Sequence, residues 1–364
     1  MKMNRLKRHT AMMILAGAAL LAGCAYDDTT RALREYGAGS DSLAIEFGNG
    51  LIDNPVTTKG VTLLSDHSST MGVWGWQTKD GNVGCLFRNQ EVTFNTHLGD
   101  WTYSPMKYWD TRSSYKFYAY APHAASAPGA TVSIDDETGR ISISGVTLKG
   151  SNTMADSAQA RPQGNFGHVD DIDWMIDRTG QTVPVRQIHS KVIFNLQHTL
   201  VKFNVMIKAR GDITESNAQL IIDSLSVGSF LSKGDFVQIL DHSPVAGSEA
   251  DDTIAEWTVH AASPRYRLQS TRGVQLTADE LCIIESLLLP QDVADQTVQI
   301  HYTLRSENGR AERFFYRFNL NEAFSTLKYA HNYTLYIGIG LNVITFDSGT
   351  TQWVNETDKY QRIN

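Results

Sequence analysis

Along most of the chain beyond residue 42, apolar and polar positions alternate with a period of two, which sets one face of a strand in a core and the other in water. The first such stretch is Leu43 to Phe47 (LAIEF). It is separated from the next, Val61 to Leu64, by a loop carrying Asn49-Gly50, Asn54-Pro55 and Thr57 to Gly60. Met71 to Gln77 (MGVWGWQ) places Val73 on one face and Trp74 and Trp76 on the other, and Asp80-Gly81 is a hairpin turn leading into Val83 to Arg88. Val92 to Phe94, the aromatic segment Trp101 to Trp109, and Tyr115 to Pro122 continue the pattern, and Ile134 and Ile141 to Ile143 flank a tight turn at Asp136 to Gly139. Residues 151–170 lose all periodicity and read as a long surface loop, after which Asp171 to Ile176 restores a strand pattern.

The second half repeats the style. Val192, Phe194 and Leu196 alternate, and then Val201, Phe203, Val205 and Ile207 alternate with Lys202, Asn204, Met206 and Lys208, which predicts a half-buried strand. Leu220 to Val227, Phe236 to Leu240, Trp257 to Val259 and Tyr266 to Leu268 are further strands, with an acidic loop at Glu249 to Asp252. Leu281 to Leu289 is a continuous apolar run stopped by Pro290, hence a buried strand. Val298, Ile300, Tyr302 and Leu304 pair with Phe314, Tyr316 and Phe318 around Glu307 to Arg310, where Asn308-Gly309 takes two positive φ values cheaply. A helical turn is expected at Glu322 to Tyr329. Tyr333, Leu335, Ile337, Ile339 and Leu341 then form one buried face of a strand whose other face is nearly bare of side chains, and Val343 to Phe346 leads on to Gln352 to Val354 and a polar tail. The pattern as a whole predicts an all-β fold.

Met1 to Cys24 departs from this pattern. Lys2, Arg5, Lys7 and Arg8 precede an apolar run from Ala11 to Leu21, too short for a permanent membrane helix, and the run closes on small residues; this is the form of a secretory signal. Leu21-Ala22-Gly23-Cys24 resembles a bacterial lipobox, which implies cleavage between Gly23 and Cys24 and a diacylglycerol on the Cys24 thiol. Two or three acyl chains hold a protein on a membrane without a spanning helix. Ala25 to Asp28, with its early acidic residues, resembles the surface-export signal of Bacteroidetes lipoproteins. Residues 1–23 are thus a signal peptide and 24–42 a polar tether.

Length favours two domains, 43–190 and 191–364, with the boundary uncertain by roughly 20 residues. The formal net charge of −7 and pI near 5.9 leave no basic surplus to neutralise phosphates, which argues against a nucleic-acid partner. Beyond Cys24 the cysteines are Cys85 and Cys282, either one disulfide or two buried thiols.

Chemistry is hard to find. Gly338-Ile339-Gly340 has Val343 where a dinucleotide fingerprint needs its third glycine, and P-loop, zinc-protease and nucleophile-elbow motifs are absent, so no enzyme and no cofactor is expected. Asp170, Asp171, Asp173 and Asp177 lack the ligand spacing of a calcium loop and read as solvated strand-edge carboxylates. The histidines, His189, His198 and His331 among them, are scattered without ligand spacing, so no metal is expected. Trp74, Trp76, Trp101 and Trp109 form either a sugar-stacking platform or core and cross-strand packing.

Several segments together resemble the fimbrillins of Bacteroidetes, subunits of type V pili, in the branch called fimbrillin-like or Mfa-like lipoproteins. They are Met71 to Trp76 after the Thr58-Lys59 step, Tyr108-Trp109 with Tyr115 to Pro122, Phe194 to Lys202, and Tyr333 to Leu341 with Trp353. Two positions depart from the family pattern: Ala330 stands where a glycine is usual, and Asp110 where a proline often follows the Tyr-Trp pair.

The resemblance implies two tandem transthyretin-like antiparallel β-sandwiches and a lipoprotein exported to the outer-membrane surface. It also implies assembly into a fimbrium with other fimbrillin subunits by donor-strand exchange, in support of adhesion to a host or bacterial surface ligand. On this reading Leu43 to Phe47 is the removable strand, Lys59 (or Arg31 and Arg34) the protease site, and Val343 to Val354 the donor. The alternative is a monomeric outer-membrane lipoprotein that binds glycans through an aromatic face.

Overall fold

The protein is described by a computed structural model over residues 44–49, 70–150, 171–177, 180–186, 191–239, 255–270, 273–341 and 343–353. The expected strand at Val61 to Leu64, the loop at 151–170 and the acidic loop at Glu249 to Asp252 lie outside these residues. The fold is all-β. The first half contributes β1 (Phe47–Asn49), β2 (Thr70–Lys79), β3 (Asn82–Asn95), β4 (Asp100–Thr102), β5 (Ser114–Ala121), β6 (Thr131–Ile134), β7 (Ile141–Thr147), β8 (Met175–Asp177), β9 (Gln181–Val183), β10 (Val192–Phe194) and β11 (Leu196–His198). The second contributes β12 (Val201–Ala209), the short helix α1 (Gly211–Glu215), β13 (Gln219–Leu231), β14 (Lys233–Gln238), β15 (Ala255–Val259), β16 (Arg265–Ser270), β17 (Val274–Leu276) and β18 (Leu281–Leu288). It closes with β19 (Gln291–Asp292), β20 (Thr297–Arg305), β21 (Ala311–Asn319), β22 (Thr326–Leu327), β23 (His331–Ile339) and β24 (Ile344–Gln352).

The MGVWGWQ stretch becomes the centre of a seven-stranded sheet ordered β11-β8-β5-β2-β3-β4, with β9 added on β5. Met71 and Val73 face one core with Phe87 and Phe117, while Trp74 and Trp76 face another with Tyr118 and Tyr120, so β2 is covered on both sides. Its glycines are steric requirements: a Cβ on Gly72 would sit 2.1 Å from the Tyr120 ring across the ladder, and one on Gly75 2.7 Å from Phe117. The Asp80-Gly81 turn is as expected, with φ of +49° and +78° and Lys79 paired to Asn82.

In the second half, a sheet ordered β18-β12-β23-β24 packs over β16-β13-β20-β21, to which β17 is added on β13, and the core between them is built from residues of 201–346. A two-stranded β19–β22 ladder closes one end. A further sheet, β15-β14-β7-β6, takes two strands from each half of the chain. It covers the tryptophan face of β2, with Ile141 and Ile143 from the first half beside Phe236 and Leu289 from the second.

Four expectations are corrected by tertiary context. The sheets are not purely antiparallel, because β1 pairs β10 and β12 pairs β23 in parallel. β12 is half-buried only in its second part: Met206 and Lys208 on its polar face are partly exposed, but Lys202 and Asn204 are buried too. There Lys202 Nζ meets Glu285 at 3.1 Å and the Asn204 amide donates to Asn332 Oδ1 at 2.6 Å. In the β20–β21 hairpin the register is as read, Tyr302 opposite Phe314, but of the Asn308-Gly309 pair only Gly309 has positive φ, because five residues rather than two join the strands. The helical turn expected at Glu322 to Tyr329 is a 3-10 turn at Leu320–Glu322 followed by β22. The nearly bare face of β23 is occupied from outside: Arg210 and Asp212, at the start of α1, lie against Gly338 and Gly340, and Asp212 Oδ2 accepts the Leu341 N–H at 2.9 Å.

Candidate functional site

The alternation in LAIEF puts Ile45 and Phe47 on one face, and both are fully buried. The main chain of this segment is held on two sides. On one, Ile45 N–H donates to Lys107 O at 2.9 Å and Ala44 bridges Tyr108. On the other, the Val192 N–H donates to Glu46 O at 2.8 Å, and β1 runs parallel to β10 with Phe47 opposite Val192 and Asn49 opposite Phe194. The Tyr103 hydroxyl donates to Ile45 O at 2.7 Å, and burial pushes this phenol up to about 12. Phe47 is the centre of an aromatic nest, its ring centroid 5.2 Å from Phe87, 5.4 Å from Tyr103, 5.6 Å from Phe117 and 5.7 Å from Phe194. A three-residue strand therefore carries a large share of one core: without it, those four rings would face an apolar slot bordered by the free edge of β10.

At the other end of the chain, β24 pairs with β23 on one side only and lies at the edge of its sheet. Its apolar residues are half covered, with Phe346 3.8 Å from Phe318 and 5.6 Å from Tyr316. Past the strand, Trp353 is buried: its N–H donates to Ala330 O at 2.7 Å, and its indole stacks on His198 at 3.5 Å and 4°. His198 Nδ1 in turn meets Asp173 Oδ2 at 2.7 Å. The C-terminal end of the described chain is thereby clasped to residues of the first half.

The remaining expected site residues divide clearly. Gly23, Cys24, Arg31, Arg34 and Lys59 lie outside the described residues, as do Leu43, Asp170, His189 and Val354. The acidic cluster is not a solvated strand edge. Asp171 accepts the Lys149 and Gly150 N–H groups at 2.6 and 3.0 Å, Asp173 holds His198, and Asp177 is buried, accepting from the Gln181 side chain and the Asn195 N–H. Burial raises the Asp177 pKa to about 6 against those hydrogen bonds. Among the described residues no group of His, Cys, Asp and Glu is arranged to hold a metal ion.

Cys85 is exposed and Cys282 partly buried, and both are free thiols, so neither the disulfide nor the pair of buried thiols is found. Trp74, Trp101 and Trp109 are buried and Trp76 is partly so, which removes the sugar-stacking platform. The His198–Trp353 stack was not legible from spacing; the alternation of Asp171-Ile172-Asp173-Trp174 was its one signal, since it sets Asp173 on the face opposite Trp174.

With this geometry in view, the match to known proteins is clear. The model of a family described as fimbrillin-like fits residues 64–353. The chain belongs to the fimbrillin-like family. Among solved structures, it is similar to a fimbrial protein from Bacteroides vulgatus ATCC 8482 at 14% identity and a TM-score of 0.55, covering 86% of this chain and 100% of that one. A cell adhesion protein of Bacteroides uniformis ATCC 8492, a putative assignment in its own description, aligns at 18% identity and a TM-score of 0.46, over 86% and 99% of the two chains. The tip fimbrial protein Mfa3 from Porphyromonas gingivalis, with a C-terminal truncation, aligns at 8% identity and a TM-score of 0.31, over 79% and 95%. No curated protein matches the chain. The first of these structures shows the same fold. Among the described residues no helix is long and apolar enough to cross a membrane. Fimbrillin-like membership supports a fimbrial subunit at the cell surface, in a family of structural proteins rather than enzymes.

Proposed function

We propose that this chain is exported as a lipoprotein acylated on Cys24, reaches the outer-membrane surface, and joins a fimbrium after proteolytic loss of its first strand. On this proposal the segment ending at Phe47 is the removable strand, Lys59 (or Arg31 or Arg34) the processing site, and Val343 to Val354 the donor that fills a neighbour's slot. The supporting observation is the seating of Ile45 and Phe47: both side chains are fully buried, on a segment that is paired as an extended strand with Val192 to Phe194. A vacated slot would expose apolar rings and an unpaired strand edge together, and an added strand satisfies both. The same reading divides the chain into two tandem transthyretin-like sandwiches, 43–190 and 191–364 within roughly 20 residues, with β10 and β11 going to the first, whose strands they pair with, and the β15-β14-β7-β6 sheet shared between them.

The test is the N-terminus of subunits purified from surface fimbriae, read by Edman chemistry or peptide mass. The proposal expects a terminus downstream of Lys59 in shaft subunits; a cut after Arg31 or Arg34 discards the lipid but keeps residues 43–49, so it vacates the slot only together with the cut at Lys59. It also expects acylated Cys24 in a subunit that remains as the anchor. Polymers built entirely of subunits that keep residues 43–49 would overturn it. No observation favours the monomeric glycan-binding lipoprotein with a tryptophan platform, since those rings are packed inside.

A further inference from the structure

The outward face of the β16-β13-β20-β21 sheet carries a feature that packing does not explain. Phe315 is 56% exposed at the middle of β21. On the same face of that strand, two residues to either side, stand Arg313 and Arg317, both exposed. Opposite Phe315 across the ladder is His301, its ring 4.6 Å away, and opposite Arg317 is Gln299. Arg305 on β20 and Arg267 on β16 extend the same outward side. Among the described residues neither Arg313 nor Arg317 is ion-paired, and the acid on this side, Asp223, is already engaged by the Thr303 hydroxyl at 2.7 Å. A chain with net charge −7 thus concentrates unpaired guanidinium groups around one exposed ring.

We propose that this face binds a carboxylate-bearing polysaccharide of the uronic-acid type. The outward side of a sheet sets its side chains in rows along which an extended polymer can lie. A planar guanidinium takes a carboxylate through two parallel hydrogen bonds. The Phe315 ring supplies an apolar surface for the C–H face of a sugar, and His301 and Gln299 supply polar contacts for hydroxyls. Arg313 and Arg317 are four residues apart on one strand, so their Cα atoms are separated by about 13 Å, the span of a few sugar rings. Such a polymer carries one carboxylate on each ring, so two carboxylates a few rings apart reach the two arginines while a ring between them lies over Phe315. The proposal is independent of strand exchange, since it uses neither β1 nor β24.

The experiment is calorimetric titration of the intact purified chain with polygalacturonate, with neutral dextran and single-stranded DNA run in parallel. Saturable polygalacturonate binding is expected, with none to dextran and binding to DNA at least about tenfold weaker. R313Q and R317Q should each weaken it about fivefold or more, the scale of one charge-assisted contact. F315A should also weaken it, while R88Q, on the exposed part of β3, leaves it unchanged. Because all these positions are exposed, unchanged thermal unfolding of each variant is the folding control. Absence of polygalacturonate binding, equal binding to dextran or DNA, or binding indifferent to F315A would overturn the assignment.

Discussion

Ala330 has a φ of +55°, a left-handed conformation in which a Cβ crowds the following carbonyl. Its N–H donates to Leu200 O and its carbonyl accepts from Trp353, so the conformation is fixed by the junction of β12, β23 and the C-terminal end. This accounts for the glycine that the fimbrillin pattern usually has at this position. Ala330→Gly should raise stability by roughly 0.5–1 kcal/mol, the relief of left-handed strain less the greater entropy of glycine in the unfolded chain, as read by urea denaturation. The other departure, Asp110, is also local. Its N–H donates to the Tyr115 hydroxyl, which a proline would forgo. Its carboxylate is buried, which alone would raise its pKa, but the Arg112 N–H and the Lys79 ammonium at 3.0 Å outweigh that and hold it below the ordinary value.

Asp177 behaves in the opposite sense. Its folded pKa of about 6 lies above the ordinary 3.8, so between those values the folded chain holds a proton that the unfolded chain has released. Its stabilising contribution is complete below 3.8 and is lost as pH rises through about 6. Asp177→Asn keeps an acceptor oxygen and removes the titration. The stability of the variant relative to the natural chain should therefore rise by roughly 2 kcal/mol from about pH 4 to about pH 7.5, measured by denaturant unfolding across that range. A difference flat with pH would show that Asp177 does not titrate there.

At the scale of elements, β1 and β18 show how far pattern reading carries. Ile45 and Phe47 were legible as one apolar face, and the apolar run ended by Pro290 as a buried strand, because burial on one or both faces writes itself into composition. The partners were not legible: the parallel pairing of β1 with β10 joins residues far apart in the chain, and nothing local encodes it. Phe47→Ala should cost about 3–5 kcal/mol, the range for emptying a buried phenylalanine site, because the nest of four rings cannot collapse onto a strand of three residues. Denaturant unfolding measures the loss, and a value under about 1 kcal/mol would show that β1 contributes little to this core.

At the scale of the whole molecule, the sheet shared between the two halves is the decisive feature. Phe236 in β14 pairs across the ladder with Ile143 and Trp257, and its buried ring lies in the cluster that also holds Trp74 and Trp353. The two halves should therefore unfold as one calorimetric transition. Phe236→Ala, by weakening the shared cluster, should split or broaden that transition. Two separate transitions in the natural chain would contradict the coupling.

Alternation by itself determined that this is an all-β chain, which residues of strands such as β2, β20 and β23 share a face, and where hairpins turn, since these depend on neighbours two to five positions away. Tertiary structure alone decided that β12 runs between two strands with a buried Lys202–Glu285 pair, that the aspartates after residue 170 each hold a different partner, and that strands from both halves form one sheet. Each of those facts is a contact between distant segments, and the free energy of such a contact depends on what packs against a residue rather than on its place in the local sequence.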